Sequence, residues 1–174
     1  MDSFFEQIVA IRKGLREYAI TLAIWLGALI LAGILFFVTV IYPFISTIGY
    51  FLIFLVFLFA VKLTKKLSIE YEYIFTNGTL DVDKIIAKNS RKRMLSFDVS
   101  EIDALGKYNQ SIIENNNFDK KIIACNIEDR DAYYIVKKSA SKGKRLLVFA
   151  PDERIKGAIK SFLPRYMQNS AFKD

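Results

Sequence analysis

The chain has 174 residues, a formal net charge of +7 and a hydrophobic fraction of 53%, which is unusually apolar for a soluble domain of this size. The apolar residues are concentrated, because the 44 residues 18–61 contain no Asp, Glu, Lys or Arg. With no histidine and one cysteine, the sequence excludes histidine-dependent catalytic triads, Cys/His zinc sites and intramolecular disulfides.

The first predicted element covers residues 1–17. Apolar residues recur there at helical spacing, and most charged residues fall on other faces; the apolar positions are Phe4, Ile8, Ile11 and Leu15. Asp2 or Ser3 is suitable as an N-cap. The pattern predicts an amphipathic helix on the inner membrane surface, and packing of this helix on the cytoplasmic domain is the alternative.

The charge-free stretch is about twice as long as the roughly 20 residues that one spanning helix needs, and Pro43 interrupts it. It therefore predicts a transmembrane helical hairpin with spans near residues 18–41 and 45–61. Transport pathways normally require ionisable side chains inside the membrane, and neither span contains Asp, Glu, Lys, Arg or His. We interpret the hairpin as an anchor.

Basic residues flank the predicted hairpin on both sides: Arg12, Lys13 and Arg16 precede it, and Lys62, Lys65 and Lys66 follow it within the basic linker 62–68. The connection between the spans is uncharged. The positive-inside rule then places both termini in the cytoplasm and the protein in the cell inner (cytoplasmic) membrane.

Small residues recur every four positions in the first span, in one set at Ala19, Ala23 and Gly27 and another at Ala28 and Ala32. Such ridges allow helices to approach closely. Packing against the second span is the simpler interpretation. A homodimer through Ala19, Ala23 and Gly27 is the alternative.

All of the net charge lies in residues 62–174, because the first 61 residues carry three basic and three acidic side chains. Here apolar residues alternate with polar ones, which is typical of half-buried strands, and Asn77-Gly78 is a strong hairpin signal. The pattern predicts six or seven antiparallel strands, at 69–75, 80–86, 95–99, 121–127, 132–138 and 146–150, with a short one near 102–105.

An amphipathic helix is predicted after the strands, since four apolar residues share one of its faces: Ile155, Ala158, Ile159 and Phe162. Phe162 is expected to be fully buried against the sheet. Residues 66–174 are expected to fold alone, and the tail 165–174 to be loosely ordered.

Two segments, YEYIFTNGTL at 71–80 and RKRMLSFDVSEI at 91–102, resemble bacterial PH-like domains that follow a two-helix membrane hairpin. The chain also resembles a small family of two-span proteins from low-GC Gram-positive bacteria, over most of residues 18–163. The resemblance implies an α+β membrane protein with a cytoplasmic PH-like domain at 69–164. This domain is a bent antiparallel β-sheet or barrel capped by a C-terminal helix. The Asn-rich loop 108–117 departs from the common pattern.

The densest basic cluster is a predicted turn at residues 88–93, which contains Lys88, Arg91, Lys92 and Arg93. The first strand starts close to the membrane, so an antiparallel second strand returns towards it and ends at this turn. We therefore predict contact with anionic lipid headgroups. The alternative is a solvated turn. A second basic hairpin near 137–145 is interpreted as a solvated edge, and no nucleic acid partner is expected.

The sequence has no phosphate-cradling glycine loop and no nucleophile elbow, so no enzymatic activity, cofactor or metal is expected. The leading hypothesis is a membrane-anchored binding or scaffold module that engages a protein partner or anionic lipid headgroups. The alternative is an accessory subunit of a membrane enzyme or transporter complex.

Overall fold

The structure is a computed structural model that describes residues 3–114, 116–127, 131–139, 143–169 and 171–172. The chain divides into two compact units. The helical unit comprises residues 12–69 and 86–88. The β unit comprises the described parts of residues 1–11, 70–85 and 89–174.

Two long helices form the helical unit. Helix α1 spans Leu15–Ile41 and helix α2 spans Ser46–Lys66, with a short 3-10 turn at Pro43–Ile45 between them. Both helices are long and apolar enough to cross a membrane. The prediction of two helices separated at Pro43 is confirmed. Each helix extends beyond its predicted span into the basic flank, where long side chains still favour helix.

Small side chains allow the two helices to pack closely. Ala28 and Ala32 of α1 are buried, as is Gly49 of α2. A β-carbon on Gly49 would overlap the methyl group of Thr39, so glycine is required at this contact. The interpretation of helix-to-helix packing is thus confirmed for Ala28 and Ala32.

One four-stranded sheet of the β unit has the order β1-β2-β3-β4. Its strands are β1 Phe4–Ala10, β2 Ile69–Thr76, β3 Thr79–Ile86 and β4 Ser90–Asp98. The Asn77-Gly78 turn has φ values of 47° and 92°, as a type I′ hairpin requires. The predicted hairpin is confirmed.

Residues 4–10 form a strand, so the amphipathic interfacial helix predicted for residues 1–17 is wrong over this segment. Strand β1 pairs antiparallel with β2, with Phe4 opposite Thr76 and Ala10 opposite Glu70. Its burial alternates along the strand, and half-buried Phe5 and Val9 pack on the core. The β-branched residues and the unpaired edge of β2 favour the strand over the helix.

The side chain of Gln7 fixes β1 to a distant part of the β unit. Its Nε2 donates a hydrogen bond to the carbonyl of Ala150, at 3.0 Å, and its Oε1 accepts one from the backbone N–H of Asp152, at 2.7 Å. The prediction that the sheet begins at residue 69 is therefore wrong, because strand β1 belongs to the same sheet. The helical hairpin is inserted in sequence between two paired strands.

The second sheet has the order β5-β7-β8-β6. Its strands are β5 Ala104–Lys107, β6 Lys120–Ile123, β7 Tyr133–Ser139 and β8 Gly143–Phe149. Strand β6 runs parallel to β8, so the prediction of an entirely antiparallel domain is wrong. Strand β7 pairs with β5 on one side and with β8 on the other. Strand β6 pairs with the remaining edge of β8. The predicted loop at 108–117 contains a short helix α3, Ser111–Glu114.

Helix α4, Glu153–Phe162, closes the core as predicted. The Asp152 carboxylate caps it by accepting a hydrogen bond from the Ile155 N–H, at 2.9 Å. Ile155 and Ile159 are fully buried, but Phe162 is 41% exposed. The prediction of a fully buried Phe162 is therefore wrong.

Phe162 belongs to the last turn of α4 and lies at the rim of the core. Its ring centroid is 5.5 Å from that of Phe75, and a β-carbon on Gly78 would lie 2.8 Å from its ring. The following short helix α5, Arg165–Gln168, contains buried Met167, and Ala171 is also buried. The described part of the tail is packed on the core, contrary to the predicted loose order.

Candidate functional site

The structure divides the predicted basic turn at 88–93 into two parts. Strand β4 begins at Ser90, so Arg91, Lys92 and Arg93 belong to a strand. Lys88 alone of the four basic residues lies in the turn at 87–89, and it belongs to the helical unit. The cluster is therefore not one continuous turn.

Arg91 and Arg93 lie against carboxylates of their own sheet. Arg91 Nη1 is 3.0 Å from Glu72 Oε2. Arg93 Nη2 is 3.2 Å from Asp81 Oδ2, and its Nε donates a hydrogen bond to Asp83 Oδ1 at 3.1 Å. Tyr73, Phe75, Leu80 and Val82 point into the core from the opposite sheet face. We call this set of five charged residues the ionic ladder: Glu72, Asp81, Asp83, Arg91 and Arg93.

Glu72 is the most shielded member of the ionic ladder. Its side chain has 0% exposure, whereas Arg91 is 60% exposed. Burial raises the pKa of Glu72, and the neighbouring carboxyl groups of Glu6 and Asp83 raise it further, while Arg91 opposes the shift. The hydrogen bond with Asp83 raises the pKa of Arg93. The ladder is thus an acidic and basic network, not a purely cationic patch.

The Glu72→Gln variant is expected to be at least as stable as the parent at pH 8. A carboxyl with a raised folded-state pKa contributes stability below its unfolded pKa and loses it as pH rises through the folded pKa. The stability of the variant relative to the parent should therefore increase with pH. Thermal unfolding of the full chain in detergent, at pH 4.5 and pH 8, measures this difference.

Asp98→Asn is the control of opposite sign. Hydrogen bonds from Ser100 to the Asp98 carboxylate lower its pKa, so its contribution is present above the unfolded pKa and lost as pH falls. This variant should be less stable than the parent at pH 8 and nearly as stable at low pH.

The opposite result for Glu72→Gln would contradict the prediction. A loss of stability that grows with pH would show that the ion pair with Arg91 outweighs the burial of Glu72.

A second cluster lies wholly within the helical unit. A cavity of about 510 Å³ is lined by three lysines, by Trp25 and Val61, and by Thr64, Ser68 and Ala87. The lysines are Lys13, Lys65 and Lys88. We call this cavity the lysine pocket. It joins two residues that were predicted as membrane flanks to one that was predicted as a lipid contact.

The turn that carries Lys88 has an unusual backbone. Ala87 and Lys88 have φ values of 56° and 58°, in the left-handed region that side chains other than Gly and Asn rarely adopt. The Ala87 N–H donates a hydrogen bond to the Ser68 carbonyl at 3.0 Å. This bond ties the turn to the residues that follow α2.

The other predicted residues lie outside the lysine pocket. Lys92 is exposed on β4, and the remaining flanking residues are exposed at the helix ends: Arg12, Arg16, Lys62 and Lys66. Ala19, Ala23 and Gly27 are exposed. Ala23 and Gly27 line an apolar groove of about 830 Å³ along the helices. Within the described ranges, no group of three His, Cys, Asp or Glu residues is arranged to hold a metal ion.

The ionic ladder was missed by the sequence analysis, although its signal was present. Asp81 and Asp83 alternate on one strand, and Arg91 and Arg93 alternate on the next, so opposite charges lie on one face of neighbouring strands. The lysine pocket gave no comparable signal, since its three lysines are far apart in sequence.

Two four-stranded sheets that share a hydrophobic core, closed by a C-terminal helix, are the arrangement expected of a PH-like domain. The chain matches the family described as Bacterial PH-like domain (DUF6106) over residues 1–169. It belongs to this family of bacterial PH-like proteins, and the match includes strand β1 and the helical hairpin. The narrower assignment to low-GC Gram-positive bacteria stays a prediction. No curated protein and no solved structure shows significant similarity to the chain.

Proposed function

We propose that the protein is a membrane-anchored binding or scaffold module on the cytoplasmic face of the cell inner membrane, with no catalysis of its own. PH-like domains are typical of binding and scaffold proteins. The observation that carries the proposal is the insertion of two spanning-length helices between paired strands of the PH-like sheet.

Chain connectivity supports a shared side for both ends of the hairpin. Strand β1 precedes α1 in the chain, and strand β2 follows α2. The two strands are paired, with Ala10 of β1 opposite Glu70 of β2. Two helices that cross a membrane and connect to paired strands must begin and end on the same side. The basic residues at both ends favour the cytoplasmic side.

Two classes of partner fit this arrangement. An anionic lipid surface would attract Lys88 and Lys92, each worth about 1 kcal/mol near such a surface. Arg91 and Arg93 would contribute less, because carboxylates of the ionic ladder already neutralise them. A protein partner of the β unit is the other class.

A second candidate function is that of an accessory subunit in a membrane enzyme or transporter complex. The apolar groove that includes Ala23 and Gly27 favours it, because small residues admit a further helix at close range. A β-carbon on Gly27 would meet no atom within 4 Å. A homodimer through Ala19, Ala23 and Gly27 would use the same surface.

Reporter fusions test the proposed topology. Alkaline phosphatase fused after Asp174 is expected to be inactive, and a fluorescent protein at the same position is expected to fluoresce, because both report a cytoplasmic end. The matched control is a fusion after Phe44, between the two helices, where phosphatase should be active. Phosphatase activity at Asp174 would contradict the two-span arrangement with both ends inside.

A further inference from the structure

We infer that the lysine pocket binds the phosphate of an anionic glycerophospholipid. The inference deepens the proposed function and rests on it, because a lipid can reach the pocket only if the two helices are in a membrane. It keeps Lys88 from the predicted lipid contacts and adds Lys13 and Lys65. These two replace the predicted contacts on β4, which are Arg91, Lys92 and Arg93.

The charge of the pocket selects an anion. Three lysine residues line one cavity, and among the described residues that line it none is acidic. Lysine binds phosphate as a point charge, and basic pockets between transmembrane helices on the cytoplasmic side are typical sites for anionic headgroups. The hydroxyl group of Ser68 adds a hydrogen-bond donor for a headgroup, whereas the hydroxyl group of Thr64 already donates to the Ala60 carbonyl.

The apolar part of the pocket indicates a lipid in preference to a free phosphate. Trp25 comes from α1 and Val61 from α2, and the two side chains are 40% and 38% exposed. A tryptophan at a membrane interface presents an apolar ring to the acyl region and a polar N–H to the headgroups. A phosphate with an attached glycerol and acyl chains would contact both the lysines and this apolar surface.

The backbone of the turn supports a functional role for Lys88. Two consecutive left-handed residues in a turn normally call for Asn or Gly, yet Ala and Lys occupy these positions. Such unfavourable conformations persist where surrounding structure imposes them, and they cluster at ligand-binding positions. Here the turn holds Lys88 in the same cavity as the lysines of the helical hairpin.

The single tryptophan of the chain is Trp25, so its fluorescence reports directly on the pocket. The full chain is reconstituted into phosphatidylcholine vesicles that contain a minor fraction of a lipid with brominated acyl chains. Bromine quenches tryptophan fluorescence on contact. Brominated phosphatidylglycerol is expected to quench Trp25 more strongly than brominated phosphatidylcholine at the same fraction.

Two triple variants with equal changes of charge separate the pocket from general attraction. Lys13→Gln, Lys65→Gln and Lys88→Gln together should lower the preference for the anionic lipid by about tenfold or more. Arg16→Gln, Lys66→Gln and Lys92→Gln together should lower it by a clearly smaller factor, since these residues attract anionic lipid only as surface charges and do not line the pocket. An equal loss in both variants would overturn the pocket assignment.

The remaining outcomes show whether the phosphate belongs to a lipid or to a soluble ester. They also show whether a negative result contradicts only the pocket or the membrane anchor as well. If glycerol 3-phosphate changes Trp25 emission in detergent with the same lysine dependence, the ligand is a soluble phosphate ester and the lipid assignment is wrong. If the protein resists alkaline extraction from membranes but shows no lipid preference, only this inference fails. Release by alkaline extraction would contradict the proposed membrane anchor itself.

Discussion

A chain in which Asn-Gly replaces residues 12–68 is expected to be a soluble, folded domain, whereas the fragment 66–174 is not. In the first chain, Ile11 and Ile69 are joined by a two-residue turn, and β1 and β2 become a hairpin. The last observed pair is Ala10 and Glu70, and continuing this register by one step in the new hairpin places Ile11 opposite Ile69. Asn-Gly is the turn that fits this geometry.

The fragment 66–174 is expected not to fold stably, because it lacks β1. Removing β1 exposes the core surface covered by Phe5 and Val9 and leaves the Ala150 carbonyl and the Asp152 N–H without Gln7. Loss of two half-buried apolar side chains and two hydrogen bonds costs about 3–6 kcal/mol. That is comparable to the whole stability of a small domain, about 5–15 kcal/mol.

Far-ultraviolet circular dichroism, urea unfolding and size-exclusion chromatography compare the two chains. The hairpin-deleted chain should unfold cooperatively and elute as a monomer. Supplying residues 1–11 as a peptide should partly restore the fragment, because the missing strand is then present. Equal urea midpoints for the two chains would show that β1 is not part of the core.

Ile159→Ala in the hairpin-deleted chain is expected to lower the free energy of unfolding by about 2–5 kcal/mol. Ile159 is fully buried in the core on α4, so its truncation leaves a cavity. Phe162→Ala is the control on the same helix. Because Phe162 is 41% exposed, its truncation should cost less than that of Ile159, although the side chain is larger.

Urea unfolding at a constant m-value measures both changes. The order of the two variants is the decisive result. A larger loss of stability for Phe162→Ala than for Ile159→Ala would mean that the last turn of α4 contributes more to core packing than Ile159 does. That result would contradict the observed burial of the two side chains.

Local patterns were sufficient to predict most of the fold. Alternation located strands β2 to β8, Asn77-Gly78 located a turn, and the 3.6-residue period located α4. Strand β1 was missed because Phe4 and Ile8 fit a helical face as well as one face of a strand, while the pairing partners lie 60 to 72 residues away. The parallel placement of β6 was missed because it depends on which sheet edge is vacant.

The candidate site shows the same division between local and long-range information. The positions of Lys13, Lys65 and Lys88 as flanking or turn residues are local properties of the sequence. Their convergence around Trp25 depends on the helical hairpin and on a turn that bonds back to Ser68. Arg91 and Arg93 were interpreted as lipid contacts because their carboxylate partners lie on other strands.

The insertion of the hairpin between β1 and β2 also constrains the order of events during synthesis. Strand β1 leaves the ribosome first, but its partner, residues 70–76, follows only after the whole hairpin has been made. At about 5–20 residues per second, β1 waits roughly 3–12 s for β2. Under the proposed topology, β1 is exposed in the cytoplasm during that time while the helices enter the bilayer. The β unit can therefore complete its first sheet only after translation has passed the hairpin. Under the proposed topology, this order couples folding of the β unit to membrane insertion.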